Sequence, residues 1–301
     1  MSWQLVALNA WLRLQERPRL ARETSVELAR ARMERLAARY PLREAERWTE
    51  APLGGLRCLR RAGTPGATLL WLHGGAYCLG SPRTHAGLVD ALARRAGLAA
   101  VLPAYRLAPE HPFPAAVEDA EAAWRALVAE GVAPGRILLG GDSAGGGLVF
   151  ALLHRLVAAG AALPAAAVAF SPWTDMTLAG GSLVTLARRD AYLPAGRMAE
   201  VRDQYLAGAD PRDPEASPWL GRFVGAPPSL IQAGAAEILR DDARRMAERL
   251  RADGARVTLD LVADAPHVFQ AFAGVLPEAD AALDRAAVFV SAALSSPRRS
   301  G

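Results

Sequence analysis

The chain contains no lysine; all 35 of its basic residues are arginine. Without that amine it has no Walker-type phosphate loop, no lysine Schiff base and no Ser-Lys dyad. It also lacks a long basic run: Arg244, Arg245, Arg249 and Arg251 alternate with Glu248 and Asp253, and the net charge of +4 is spread in this way. Such mixing reads as solvated helix faces and argues against nucleic acid as a partner. Cysteine is scarce. Cys58 and Cys78 offer neither a disulfide framework nor metal-ligand spacing, so free thiols in a reducing compartment are expected. No apolar run approaches the ~20 residues of a membrane span. The partly apolar opening (Trp3, Leu5, Val6, Leu8, Trp11, Leu12, Leu14) has no basic flank before it and no small-residue cleavage site after it. It predicts an amphipathic helix ending near Pro18, in a cytoplasmic protein with no membrane partner.

The 301 residues, 51% hydrophobic and 22% charged, suffice for one folded α/β domain with an elaboration. A second helix is expected over 25–40, where Val26, Leu28, Met33, Leu36 and Ala37 recur at helical spacing. Extended pieces at 47–49 and 56–60 suggest a hairpin. Strand-like runs at 67–72, 98–102, 137–139, 165–170, 229–232 and 257–262 then alternate with helical stretches at 85–95, 115–130, 147–159, 242–253 and 279–294. That alternation predicts a mostly parallel sheet with helices on both faces and functional groups on loops at the strand carboxyl ends. Residues 178–217 break the pattern. The expected organisation is a cap whose first part is 1–45, a core over 46–177, a helical cap insertion over 178–217, the rest of the core over 218–294, and a disordered tail over 295–301.

Gly140-Gly141-Asp142-Ser143-Ala144-Gly145-Gly146 lies between an apolar strand and an apolar helix. Its G-x-S-x-G core supplies small residues on both sides of Ser143, as a sharp strand-to-helix turn requires. The turn would present the serine hydroxyl above a helix N-terminus, where negative charge is favoured. A serine needs a base, and the base needs an orienting acid. His267 is the candidate base, because it alone among five histidines falls late in the chain on a loop after a strand. His85 and His154 lie in helical stretches, and His111 in a proline-rich turn. The acid is expected between serine and base, the order of the α/β-hydrolase triad. Glu237, nearest the end of its strand and followed by Ile238-Leu239, is favoured over Asp241, Asp242 and Asp264. Donors for an oxyanion are expected from Gly74, Gly75 and Ala144, with His73 organising the loop. Trp3, Trp11, Trp173, Tyr192, Tyr205 and Phe269 are candidate pocket walls.

Beside the G-D-S-A-G elbow and the His73-Gly74-Gly75 loop stand Tyr105-Arg106-Leu107-Ala108-Pro109-Glu110, Ser171-Pro172-Trp173-Thr174-Asp175 and Ala216-Ser217-Pro218. In this order, over residues 68–272, the chain resembles the hormone-sensitive-lipase-like esterases. The resemblance implies an α/β-hydrolase fold with a helical cap, no cofactor, a small ester as substrate and a homodimer. It also implies that Glu110 braces the oxyanion loop. Two positions depart from the pattern: Ala76 replaces the third glycine of H-G-G-G, and Glu237 stands where aspartate is commoner. The expected activity is hydrolysis of short-chain acyl esters through an acyl-enzyme on Ser143, with His267 as base and Glu237 as its partner. A lactone hydrolase or arylformamidase-like amidase would use the same residues, and a non-catalytic small-molecule receptor is the alternative of a different class.

Overall fold

The apolar runs build one sheet of eight strands among the residues that the computed structural model describes, which are 1–39, 42–64 and 66–295. A short antiparallel pair, β1 (Trp48–Glu50) and β2 (Cys58–Arg61), forms one edge. It is followed in chain order by β3 (Thr68–Leu72), β4 (Ala99–Pro103), β5 (Ile137–Asp142), β6 (Ala166–Phe170), β7 (Ser229–Gly234) and β8 (Val257–Val262). Their spatial order is β1-β2-β4-β3-β5-β6-β7-β8, and the six from β4 to β8 run parallel. This is the α/β-hydrolase fold class expected from the sequence. The central strands are buried on both faces, which is why they read as continuous apolar runs.

Strand periodicity divides the core in two. Leu70, Leu72, Leu139, Ala167 and Ile231 face α5 (Ala115–Ala129), α6 (Ala144–Ala158) and α9 (Arg240–Ala252). Their neighbours Leu69, Trp71, Leu138, Val168 and Leu230 face α4 (Pro82–Ala96) and α10 (Pro277–Ser295). Gly140 serves this packing directly: a Cβ there would overlap the Trp71 ring. The predicted tail lies outside the described residues apart from Ser295, which ends α10, and so does Tyr40 of the predicted second helix.

The first helix does not end at Pro18. After α1 (Trp3–Trp11) the chain makes a π-helical turn over Leu12–Glu16 and continues as α2 (Arg17–Arg22). Arg17 N–H bonds to Leu12 O, five residues back. The widened turn leaves Pro18 in the first turn of α2, where its missing N–H costs little. Next comes α3 (Val26–Ala37), and the 178–217 stretch contributes the short α7 (Ser182–Thr185) and α8 (Met198–Leu206). Arginines stitch these regions together. Arg13 donates to Arg189 O at 2.9 Å, Arg17 to Ala187 O, and Arg197 to Glu23 O at 2.5 Å.

Candidate active site

Strand β5 ends at Asp142 and α6 starts at Ala144, leaving Ser143 alone in the turn at φ 54° and ψ −122°. A side chain is uncommon at such a positive φ, so the geometry persists only because its surroundings hold it there. Ser143 N–H donates to Phe170 O at 2.8 Å, and Gly147 N–H donates to Ser143 O at 3.1 Å. The flanking glycines are sterically required. A Cβ on Gly145 would overlap the carbonyl oxygens of Leu72 and His73, and one on Gly141 would overlap Gly145 O.

The loops after β7 and β8 bring the other two side chains to this turn. His267 Nε2 lies 2.9 Å from Ser143 Oγ, and His267 Nδ1 lies 2.9 Å from Glu237 Oε2. Glu237 is fully buried, and its other oxygen accepts Gly234 N–H at 3.2 Å. Burial raises its pKa, while the His267 hydrogen bond opposes that rise. The other acids are engaged elsewhere. Asp241 accepts Ser182 N–H, Asp242 accepts the N–H groups of Thr174 and Asp175, and Asp264 pairs with Arg189.

Two residues that sequence reasoning did not single out position these loops. Asp190, from the insertion, accepts Ile238 N–H beside Glu237 at 2.8 Å and also caps Tyr192 and Leu193. From the opposite side, Asn9 of α1 donates to Asp264 O at 2.8 Å on the His267 loop. Asn9 is signalled only as a polar residue in an apolar stretch, and Asp190, which follows Arg188 and Arg189, lacks even that signal.

The segment after β3 carries the expected donors. Among the described residues neither Gly74 N–H nor Gly75 N–H finds a protein acceptor, and Ala144 N–H is a free first-turn donor of α6. Gly75, Ala76 and Tyr77 have φ of 121°, 54° and 61°. The replacement of glycine by Ala76 therefore carries strain of roughly 1–2 kcal/mol in a left-handed position. Tyr105 anchors the segment from below, its hydroxyl donating to His73 O at 2.6 Å. Glu110 reaches it through an intermediary. Its carboxylate pairs with Arg30 of α3, and Arg30 Nε donates to Cys78 O at 2.7 Å. The Arg30 guanidinium holds the Glu110 pKa down at about 2. Both cysteines are free and buried, and burial pushes the Cys78 thiol up to about 12.

The expected pocket walls separate into three groups. Tyr192 is half-buried, its ring stacked on His267 with centroids 6.3 Å apart. Phe269 occupies a core position instead: it is fully buried among Leu5, Leu276, Ala279 and Ala282, because the left-handed Val268 turns the chain inward. Trp173 and Tyr205 are likewise buried, both against Tyr77. Trp3 and Trp11 are exposed on α1.

A family profile for the α/β hydrolase fold matches residues 69–271. A crystal structure of an esterase from the bacterial hormone-sensitive lipase family superposes with a TM-score of 0.90 at 39% identity, over 98% of this chain and 99% of that one. The chain belongs to the hormone-sensitive-lipase-like family of α/β hydrolases. An esterase/lipase from an uncultured bacterium gives a TM-score of 0.93 at 37% identity, covering 98% of this chain and all of that one. An acetyl-hydrolase of Streptomyces hygroscopicus is 46% identical over 235 residues, 78% of this chain and 79% of the relative. An ethyl acetate hydrolase of Pseudomonas putida is 35% identical over 72% of this chain and 70% of the relative. This hormone-sensitive-lipase-like protein is thus a carboxylic ester hydrolase, which sets aside the receptor alternative. No helix of the described residues is long and apolar enough to cross a membrane.

Proposed function

We propose that this esterase hydrolyses short-chain acyl esters through an acyl-enzyme on Ser143. The observation that carries the reading is the unbroken line from Ser143 Oγ through His267 to Glu237, with 2.9 Å at both joints. As Ser143 Oγ attacks the ester carbonyl carbon, His267 Nε2 takes the hydroxyl proton, and Glu237 stabilises the imidazolium through Nδ1–H. The carbonyl π pair moves to oxygen, where the free N–H groups of Gly74, Gly75 and Ala144 offer hydrogen bonds. When the tetrahedral intermediate collapses, the C–O bond to the alcohol breaks and His267 returns the proton to the leaving oxygen. Water, deprotonated by the same nitrogen, then releases the acid.

Short acyl chains are favoured by two considerations. The relatives include an acetyl-hydrolase and an ethyl acetate hydrolase. In addition, the buried rings of Trp173 and Tyr205 pack on Tyr77, which follows Gly75 and Ala76 in the oxyanion segment. Rates on p-nitrophenyl esters from acetate to decanoate test the reading. We expect acetate or butyrate to be preferred and Ser143→Ala to be inert. A preference for decanoate would overturn the chain-length assignment, and an active Ser143→Ala would overturn the mechanism.

A further inference from the structure

Asp142, immediately before the nucleophile, is a buried carboxylate whose position the ester mechanism does not explain. Its Oδ1 accepts Trp71 Nε1–H at 2.9 Å, and its Oδ2 lies 3.3 Å from His85 Nε2 in the first turn of α4. Oδ2 also presses on the oxyanion segment, since a Cβ on Gly74 would overlap it. A bare carboxylate there would repel the negative charge that Gly74 and its neighbours are meant to stabilise.

The surroundings of His85 supply the countercharge. Its Nδ1 faces Ser81 O at 3.3 Å and Thr84 Oγ1 at 2.8 Å, and the Thr84 hydroxyl already donates to Ser81 O. Acceptors at Nδ1 and a carboxylate at Nε2 suit a ring that carries hydrogen on both nitrogens, an imidazolium. Burial acts to lower the His85 pKa, but the charge and hydrogen bond of Asp142, with Ser81 O, outweigh it and the net direction is upward. Glu34 also faces His85 and reinforces the rise. His73 is not the countercharge: burial holds its pKa down at about 3, and its Nδ1 faces Gly74 O.

We propose that His85 is a positioning residue for ester hydrolysis: its imidazolium neutralises Asp142 behind Gly74, leaving the oxyanion donors unopposed. The ion pair also ties the end of β5 to α4 across the segment that carries Gly74 and Gly75. The histidine rings of 73 and 85 stack 5.3 Å apart, and Tyr105 stacks on His73 at 4.2 Å, so the pair sits in a rigid layer.

The inference rests on the esterase mechanism, and a charge-balance series tests it. The readouts are kcat and KM on p-nitrophenyl acetate and the rate at which phenylmethylsulfonyl fluoride sulfonylates Ser143. His85→Gln keeps a donor but removes the charge. It should lower kcat and the sulfonylation rate by on the order of 10- to 100-fold while KM changes less than about threefold. Asp142→Asn removes the carboxylate and should stay within about fivefold of wild type. The double variant should recover most of the loss of His85→Gln. A double variant no faster than His85→Gln, with both melting as wild type, would reduce the pair to scaffolding and overturn the proposal, as would a fully active His85→Gln. If His85→Gln does not fold, a 100-fold loss in folded Asp142→Asn overturns it instead. Should wild type turn over no ester, the esterase mechanism fails, and the sulfonylation rates still decide the role of His85.

Discussion

Arg30 grips both carboxylate oxygens of Glu110, at 2.7 and 2.8 Å, while its other N–H groups hold the carbonyls of Cys78 and Ala108 at 2.7 and 2.9 Å. One guanidinium thus joins an N-terminal helix to the oxyanion segment and to the strand-end loop behind it. Lysine cannot reproduce that fork. Arg30→Lys is therefore expected to behave like Arg30→Ala, lowering kcat several-fold and stability by about 1–3 kcal/mol. Steady-state kinetics and thermal melting check both effects; a wild-type Arg30→Lys would show that the fork is dispensable.

The same pair leaves a mark in the acid range. Because the folded pKa of Glu110 lies at about 2, below the usual carboxylate range, its ionised form is favoured by folding. The contribution is present above about pH 4.5 and is lost as pH falls toward 2. Half of the Glu110 side chain is exposed, so solvent screening keeps the effect small. Melting curves of wild type and Glu110→Gln should differ near pH 6 and converge toward pH 2.5.

Glu237→Gln tests the acid. The amide keeps an oxygen for Gly234 N–H, but it no longer fixes the tautomer of His267 or balances its charge. We expect kcat to fall by on the order of 1,000- to 10,000-fold with KM and melting little changed. Retention of more than a tenth of the activity would move the acid's role to another residue.

Gly145→Ala asks whether the elbow tolerates one methyl group. The added carbon would overlap two backbone carbonyls that belong to β3 and its loop, so neither side can yield without shifting the sheet. Loss of soluble, folded protein is expected. Gly196→Ala, where nothing lies within 4 Å of the new carbon, should fold normally.

Phe269→Ala and Tyr192→Ala separate core from pocket wall. Truncating the fully buried Phe269 should cost about 3–5 kcal/mol of stability. Truncating the half-buried Tyr192 should instead change KM and the order of ester preference, with little loss of stability. The reverse pattern in melting and kinetics would exchange their roles.

Strands and elbow were legible because both follow local rules. Continuous apolar runs mark the central strands, which are buried on both faces, and the small residues around Ser143 mark a turn that larger ones would block. The expectation of Glu237 as the acid also rests on a local feature, its place three residues past the end of β7. What sequence could not reveal depends on distant partners. Arg30 meets Glu110 across 80 residues, and nothing near either one announces the other. Phe269 follows the base by two positions and looks like a pocket residue, yet the left-handed Val268 sends it inward. Pro18 signalled a helix end, but the π-helical turn before it absorbed the break.

The support of His267 has a consequence for how this enzyme is made. Leu5 packs against Phe269, Ala279 and Ala282, Asn9 holds Asp264 O, and Ser2 bonds to Glu278 across 276 residues. On the ribosome, the elbow and its oxyanion donors can assemble while the base is still untranslated. The helix that steadies the base is made long before it, yet must wait for α10, which follows the base, before it can dock. Contacts so far apart in sequence close slowly. A nascent chain should therefore display a shaped but inert serine until α1 docks on α10 and the His267 loop, and activity should follow that docking.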